Sequence, residues 1–562
     1  MTETNLMPLH KILRGCKPML LFILILSIAQ QVSAQDYYYI RFTDKKNNHY
    51  SVDYPEAFLS ARSIERRRLQ HIPVTESDLP LTSTYTNAVT SLALRTVYHL
   101  KWDNAMLVQL SDNSATLLRQ MPFIKSITRI PASGASTFHK QLDIADNTKS
   151  IPATPLDTSF YGASANQNAM IHINTLHQKG YWGDGVMLAV MDAGFINVQH
   201  NAFFQKVYDE GRLLYTHNYV FDTSYVYAYD SHGAETFSDI AANIPYKMVG
   251  TAPNAQFLLF VTEDVRSERI IEEYNWANAA ELADSIGADV FSTSLGYTTF
   301  DNVDSIYNTT YATLNGHTTP IAIASNAAAS KGILVINSAG NSGGDSWHYI
   351  ATPADADSVV AVGAVRYDGT ITGFSGRGPN SAGLLKPNVC AKGQAAAVVL
   401  TNGVLSTSNG TSFSCPIMAG AFACLRGAFP SAPNMLIVDA VQRSSNYFSN
   451  PNDDYGYGIP DFGLAFDYLK ALYPTDTIAA MQSLVYPNPF TTSIRLTIAG
   501  LLNAPINVEL FDLSGRKVWT TTLPPDTYTH DLIELTPPAY LALGAYILRI
   551  NGSYKLKLIK QP

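Results

Sequence analysis

Short, wholly apolar runs recur between residues 160 and 473 of this chain. They fall at 186–191, 257–261, 333–336 and 359–362, with 288–291, interrupted by Asp289, a lesser member. Between them lie stretches of helical period, such as 267–286, where Ile271, Tyr274, Ala277 and Leu282 share one side. Buried strands alternating with helices predict an α/β domain, a parallel sheet with helices on both faces. Functional groups on such sheets gather beyond the C-terminal strand ends.

The pattern differs on either side. Residues 36–129 predict strands at 37–42 and 124–130, two strands within 92–110, and helices over 55–69 and 115–121. That β-α-β-β-α-β order predicts a small α+β unit of ferredoxin-like form. Residues 484–562 alternate apolar and polar positions, with strands expected at 494–498, 506–511, 517–522 and 546–550, and predict a small β-sandwich. Residues 131–159, rich in Ser, Ala, Thr, Pro and Asp without period, read as a linker, and 474–483 as a second. The expected units are therefore 1–34, 35–130, 160–473 and 484–562.

Composition narrows the function. With 46% hydrophobic and 15% charged residues, the 562-residue chain has ample material for a large core. A formal net charge of -8 argues against a nucleic-acid partner, which needs a basic face. Arg66-Arg67-Arg68 is the one dense basic run and reads as a solvated helix face. Lys11, Arg14 and Lys17 precede an apolar run, and Val32-Ser33-Ala34 follows it, the layout of a cleaved export signal over 1–34. No later stretch is long and apolar enough to span a bilayer, so no transmembrane segment is expected in the mature form. Beyond Cys16, the cysteines are Cys390, Cys415 and Cys424, an odd set that suits buried small hydrophobes better than disulfides or zinc.

Candidate chemistry lies at the predicted strand ends. Asp192 closes the first central strand, and His232 opens a helical stretch forty positions later. Ser412 follows in Asn409-Gly410-Thr411-Ser412-Phe413-Ser414-Cys415-Pro416, a tight turn feeding an apolar helix. A serine hydroxyl needs a neighbouring base to act as a nucleophile, and a histidine oriented by a carboxylate is such a base. Asn341, at the end of the 333–336 strand, offers a side-chain amide to an oxyanion, and the Ser412 backbone N–H a second donor.

In the order Asp, His, Ser, these motifs resemble the subtilisin-like serine proteases, or subtilases, over about residues 160–473. Gly410-Thr411-Ser412 with Pro416 and Ala419-Gly420 matches the family's serine motif, and Ser338-Ala339-Gly340-Asn341 its oxyanion block. Gly250-Thr251-Ala252-Pro253 and Phe374-Ser375-Gly376-Arg377-Gly378-Pro379 look like further family blocks. The resemblance implies a subtilisin-like parallel sheet and a serine endopeptidase with Asp192, His232, Ser412 and Asn341 catalytic. It also implies that Ser294, Leu295, Gly296, Ala339 and Gly340 bind substrate. No cofactor is implied for the chemistry; structural calcium is compatible with the family, and no acidic loop marks where it would bind. The departures are Ala193 for a hydroxyl residue, Glu235 for a second histidine, and Phe413 and Ser414 for Met and Ala.

The flanks resemble family companions. Residues 35–130 look like a propeptide that assists folding and inhibits the cleft, and 484–562 like the sorting domain of type IX secretion substrates. The expected partners are protein or peptide substrates, the chain's own propeptide and that secretion machinery, at the outer surface of a Gram-negative bacterium or beyond it. Two alternatives stand beside this: a surface binding protein on a silent subtilase fold, and a metallohydrolase using His232 and Glu235 with Asp192 and His200.

Overall fold

The computed structural model describes residues 36–130 and 159–473, and within the C-terminal region 484–486, 490–497, 506–512, 515–523, 532–550 and 554–561. The expected export signal, the 474–483 linker and all but the last residue of the 131–159 linker lie outside the described residues.

The N-terminal unit is an antiparallel sheet of β1 (Tyr37–Phe42), β2 (Arg95–Leu100), β3 (Ala105–Gln109) and β4 (Ile124–Ile130), in the order β2-β3-β1-β4. Alternation along β1 sorts its side chains. Tyr38 and Ile40 join the unit's own core, and Tyr39 joins a core of the central domain, its ring 4.8 Å from that of Tyr274.

Two expectations for this unit need correcting. The helix foreseen over 55–69 is a short turn at Pro55–Ala57 followed by a helix at Ala61–Leu69, which Ser60 caps by accepting the Ser63 N–H. In its place Ser83–Thr90 packs on the sheet through Val89, together with the helix Asp112–Leu118 through Ala115 and Leu118. The Ala61–Leu69 helix has no apolar stripe to offer its own sheet and lies on the central domain. Arg66 and Arg67 are therefore not a solvated face. They are 4% and 1% exposed, and both pair with Asp284, Arg67 also with Asp78. Only Arg68 of the three points to water.

The central domain holds a seven-stranded sheet. Its strands are β5 (Met187–Asp192), β6 (Leu213–Asn218), β9 (Gln256–Val261), β10 (Val290–Thr293), β11 (Leu334–Ser338), β12 (Val359–Val365) and β13 (Val389–Lys392). A two-residue ladder of β7 (Asn243–Ile244) and β8 (Met248–Val249) falls between β6 and β9. The order is β13-β12-β11-β10-β5-β9-β6, and every pairing is parallel. Along β5, Leu188 and Val190 face one core while Met187, Ala189 and Met191 face the other, as a sheet covered on both sides requires.

The first core contains the helices His232–Ala241 and Thr411–Ala428; the second contains Ile271–Ile286 and Pro320–Ser330. A hairpin of β14 (Ala396–Val399) and β15 (Leu405–Ser408) leads into the Thr411 helix. That helix is buried along nearly its whole length, and Cys415 and Cys424 are buried free thiols on it.

The C-terminal unit has two antiparallel sheets. One is β16 (Leu484–Tyr486), β17 (Ile494–Thr497) and β20 (Leu532–Leu535). The other is β18 (Ile506–Asp512), β19 (Lys517–Leu523), β21 (Gly544–Ile550) and β22 (Tyr554–Lys560). Phe490, Val508, Leu510, Leu548 and Leu558 form their core. Among the described residues no helix is long and apolar enough to cross a membrane.

Candidate active site

Asp192 is the last residue of β5, and His232 the first of the helix that crosses behind it. Both side chains are almost fully buried, and His232 Nδ1 lies 2.7 Å from Asp192 Oδ1. The Ala193 N–H donates to the same carboxylate oxygen at 2.7 Å, and Thr236 Oγ1 donates to the other at 3.0 Å. This fixes the carboxylate in its plane and leaves His232 Nε2 as the nitrogen available for chemistry. Burial alone would lower the proton affinity of the imidazole. The charge and hydrogen bond of Asp192, followed by Asp230 and Glu235, outweigh burial and push it up to about 9.

Ser412 is the second residue of its helix, preceded by Gly410 at φ 148°. That φ lies in the region that favours glycine, and it turns the chain sharply from β15 into the helix. Pro416 has no N–H with which to cap the Ser412 carbonyl four residues earlier. Ser294 Oγ replaces it, donating to Ser412 O at 2.8 Å. Ser412 Oγ in turn leans on Ser294 O at 3.4 Å, a long contact, and among the described residues no hydrogen bond joins it to His232. Such links are commonly loose before substrate binds.

Asn341 is brought to the same place. Thr411 donates to Asn341 Oδ1 from its backbone N–H at 2.9 Å and from Oγ1 at 3.0 Å. The carboxamide orientation follows, since only an oxygen can accept the N–H. Its Nδ2 then lies 3.6 Å from where a Gly410 Cβ would stand.

The expected substrate residues line the adjoining edge. Leu295 O is occupied by Asn337 Nδ2 at 3.0 Å and Ser338 Oγ at 3.3 Å. Gly296 is exposed, and its backbone polar groups enter no hydrogen bond among the described residues. An added Cβ there would stand 2.8 Å from the Ala351 side chain. Ala339 and Gly340 are different, because their backbone groups are engaged with Val362, Ala351, Gly376 and Thr411. That leaves neither residue a backbone group for pairing with an added strand.

Residues that sequence reasoning missed hold this frame together. Thr236 supplies the hydroxyl that Ala193 lacks, from one turn beyond His232, and that i+4 spacing was the available signal. Thr411, inside the serine motif, clasps Asn341. Glu235 does not gather with Asp192 and His200 as the metal reading required. Its oxygens accept Ser231 Oγ at 3.2 Å and Ser408 Oγ at 3.0 Å, and His200 is exposed on a separate turn. The acidic group that does draw together among the described residues is Glu263, Glu268 and Glu272, whose ligand atoms lie within 4.8 Å of one another.

A buried Asp–His pair, a serine at a helix start and a carboxamide, all at the C-terminal ends of one parallel sheet, define a serine hydrolase of subtilisin architecture. The Subtilase family model matches residues 183–458, the Peptidase S8 propeptide domain of Bacteroidota matches 37–143, and the Secretion system C-terminal sorting domain matches 484–561. Over residues 183–458 the chain belongs to the subtilase family. It is 28% identical to Subtilisin E of Bacillus subtilis over 304 residues, covering 52% of this chain and 68% of that one. It is also 28% identical to a subtilisin of Bacillus pumilus over 305 residues, covering 52% of this chain and 94% of that one. In fold it is similar to the epidermin leader peptide processing serine protease of Staphylococcus aureus, with a TM-score of 0.51 at 16% identity, over 77% of this chain and all of that one. The protein is a serine endopeptidase with a propeptide and a sorting domain that directs it to the cell surface or beyond.

Proposed function

We propose that Ser412 is the nucleophile of this endopeptidase. His232 Nε2 takes the hydroxyl proton as Oγ attacks the scissile carbonyl, and Asp192 holds the imidazole and stabilises its charged form. Asn341 Nδ2 and the Ser412 N–H, which has no intrahelical acceptor in the first turn, receive the oxyanion. The proton then passes from His232 to the leaving amine, leaving an acyl-enzyme. Water attacks the ester, again through His232, and releases the acid. Substrate lies along Ser294, Leu295 and Gly296 as an added strand. The observation that carries the assignment is the 2.7 Å contact between His232 Nδ1 and Asp192 Oδ1. None of the groups this chemistry needs is missing, so the silent-fold alternative has no support in the site. The chemistry draws on no cofactor.

The propeptide is proposed as an intramolecular inhibitor, removed within 131–159. Its firm seat supports this: besides the buried Arg66 and Arg67, Lys101 N and Trp102 N donate to the Glu281 carboxylate at 2.7 and 2.9 Å. The C-terminal unit is proposed as the address read by type IX secretion machinery. Labelling of the secreted enzyme, after its propeptide has been removed, with a serine-directed phosphonate tests the nucleophile. Labelling that disappears in Ser412→Ala is expected; an unlabelled wild-type protein overturns the assignment.

A further inference from the structure

The carboxylate of Glu235 has no part in the mechanism above, yet it is 5% exposed and lies one helical turn from His232. Its two oxygens reach in different directions. One accepts Ser231 Oγ, directly before the histidine; the other accepts Ser408 Oγ, the last residue of β15. Two residues beyond Ser408 the chain turns at Gly410 and presents Ser412. Further along the same helix, Ser238 Oγ accepts the Val399 N–H of β14 at 3.0 Å. Asp239 Oδ1 accepts Gln167 Nε2 at 2.6 Å, and Gln167 Oε1 accepts the Ala397 N–H at 2.8 Å. The histidine helix is thus stitched to the β14–β15 hairpin along its length, with Glu235 the stitch nearest the reacting atoms.

We propose that Glu235 is a positioning residue for peptide hydrolysis, its carboxylate tying the serine-bearing turn to the histidine-bearing helix through Ser408. This rests on the assignment of His232 and Ser412 made above. A buried anion with two hydroxyl donors is costly to disturb, since losing either donor leaves its charge under-solvated. Catalysis is sensitive to such a tie because a misplacement of about 1 Å can cost about 10²-fold in rate. Glu235 also has an electrical effect. The charged groups acting on His232 are Asp192 from β5, Asp230 from the preceding loop and Glu235 from its own helix. Those acting on Glu235 are His232 and Asp230, with Asp239 one turn on. Burial raises the Glu235 carboxyl above its ordinary value, opposed by His232 and the two serines.

The test uses the secreted enzyme, matured normally, in three variants. Glu235→Ala cuts the tie and should lower kcat about 10- to 100-fold with little change in KM. Ser408→Ala cuts it from the other side, keeps the charge, and should lower kcat while leaving the acid limb of the pH profile in place. Glu235→Gln keeps the size, and by removing an anion near His232 should move that limb to lower pH. A bland packing role would leave the limb unmoved in Glu235→Gln. The proposal is overturned if kcat in Ser408→Ala and the limb in Glu235→Gln both match wild type. Phosphonate labelling of wild type separates the two layers: a labelled wild type with indifferent variants sinks only Glu235, and an unlabelled wild type sinks the catalytic assignment itself.

Discussion

Thr236 Oγ1 donates to Asp192 Oδ2 at 3.0 Å, from a position four residues after the histidine that the other oxygen of Asp192 holds. One helical turn therefore presents both side-chain partners of the carboxylate, beside the Ala193 N–H. It restores a hydroxyl contact that Ala193 cannot make.

Thr236→Val should leave the fold intact and free the Asp192 carboxylate to rotate. A hydrogen bond to a charged group contributes about 1.5–3 kcal/mol, so kcat/KM should fall roughly 10- to 100-fold. Thr236→Ser should recover most of the loss. Equal activity in Val and Ser variants sinks the idea.

The pH dependence follows from His232. The base must be neutral to accept a proton, and its affinity is raised from an ordinary histidine to about 9. The acid limb of kcat/KM should therefore lie well above ~6.5, giving an alkaline enzyme. The linkage to stability has a fixed sign. A folded pKa above the unfolded one adds stability that is complete below ~6.5 and is lost as pH rises through about 9. Thermal unfolding of the inactive Ser412→Ala proenzyme between pH 6 and 10 reads this slope, and His232→Ala should flatten it.

Asn341→Ala should lower kcat about 10²–10³-fold with KM nearly unchanged, the cost of one oxyanion donor in subtilisin. Loss confined to KM would place Asn341 in ground-state binding instead.

Asp284 ties the propeptide to the catalytic domain. Burial would raise its carboxyl, but Arg66, Arg67 and Lys101 bring it down to about 2. Its contribution is therefore present above an ordinary aspartate's ~3.9 and is lost as pH falls toward 2. Breaking a buried ion pair from one side costs about 3–5 kcal/mol. Arg67→Ala in the Ser412→Ala proenzyme should lower the melting temperature by several degrees, whereas Arg68→Ala, on the exposed side, should not. Matching shifts in both variants would refute the clamp.

Much of this molecule can be read along the chain. The apolar runs predict the parallel sheet because strands buried on both faces are apolar along most of their length, with polar residues such as Asp192 and Ser338 at their C-terminal ends. Asp192, His232, Asn341 and Ser412 stand out because each belongs to a local motif of strand end, turn or helix start. Local rules do not reach the contacts between those motifs. Ser408 and Glu235 are 173 positions apart, and Arg67 and Asp284 are 217 apart. Arg66 and Arg67 read as a solvated face because charge predicts exposure unless a buried partner waits, and Asp284 lies in another domain. Glu235 read as a stray ligand for the same reason.

The sequence by itself determined the parallel sheet and the order of Asp192, His232, Asn341 and Ser412 at its strand ends and helix starts, since these depend on periodicity and on neighbours a few residues away. Only the tertiary structure decided which hydroxyl braces Asp192, which carboxylate ties the serine turn to the histidine helix, and where the propeptide's arginines go. Those depend on which helix face turns inward and what it meets there, and packing between distant segments sets both.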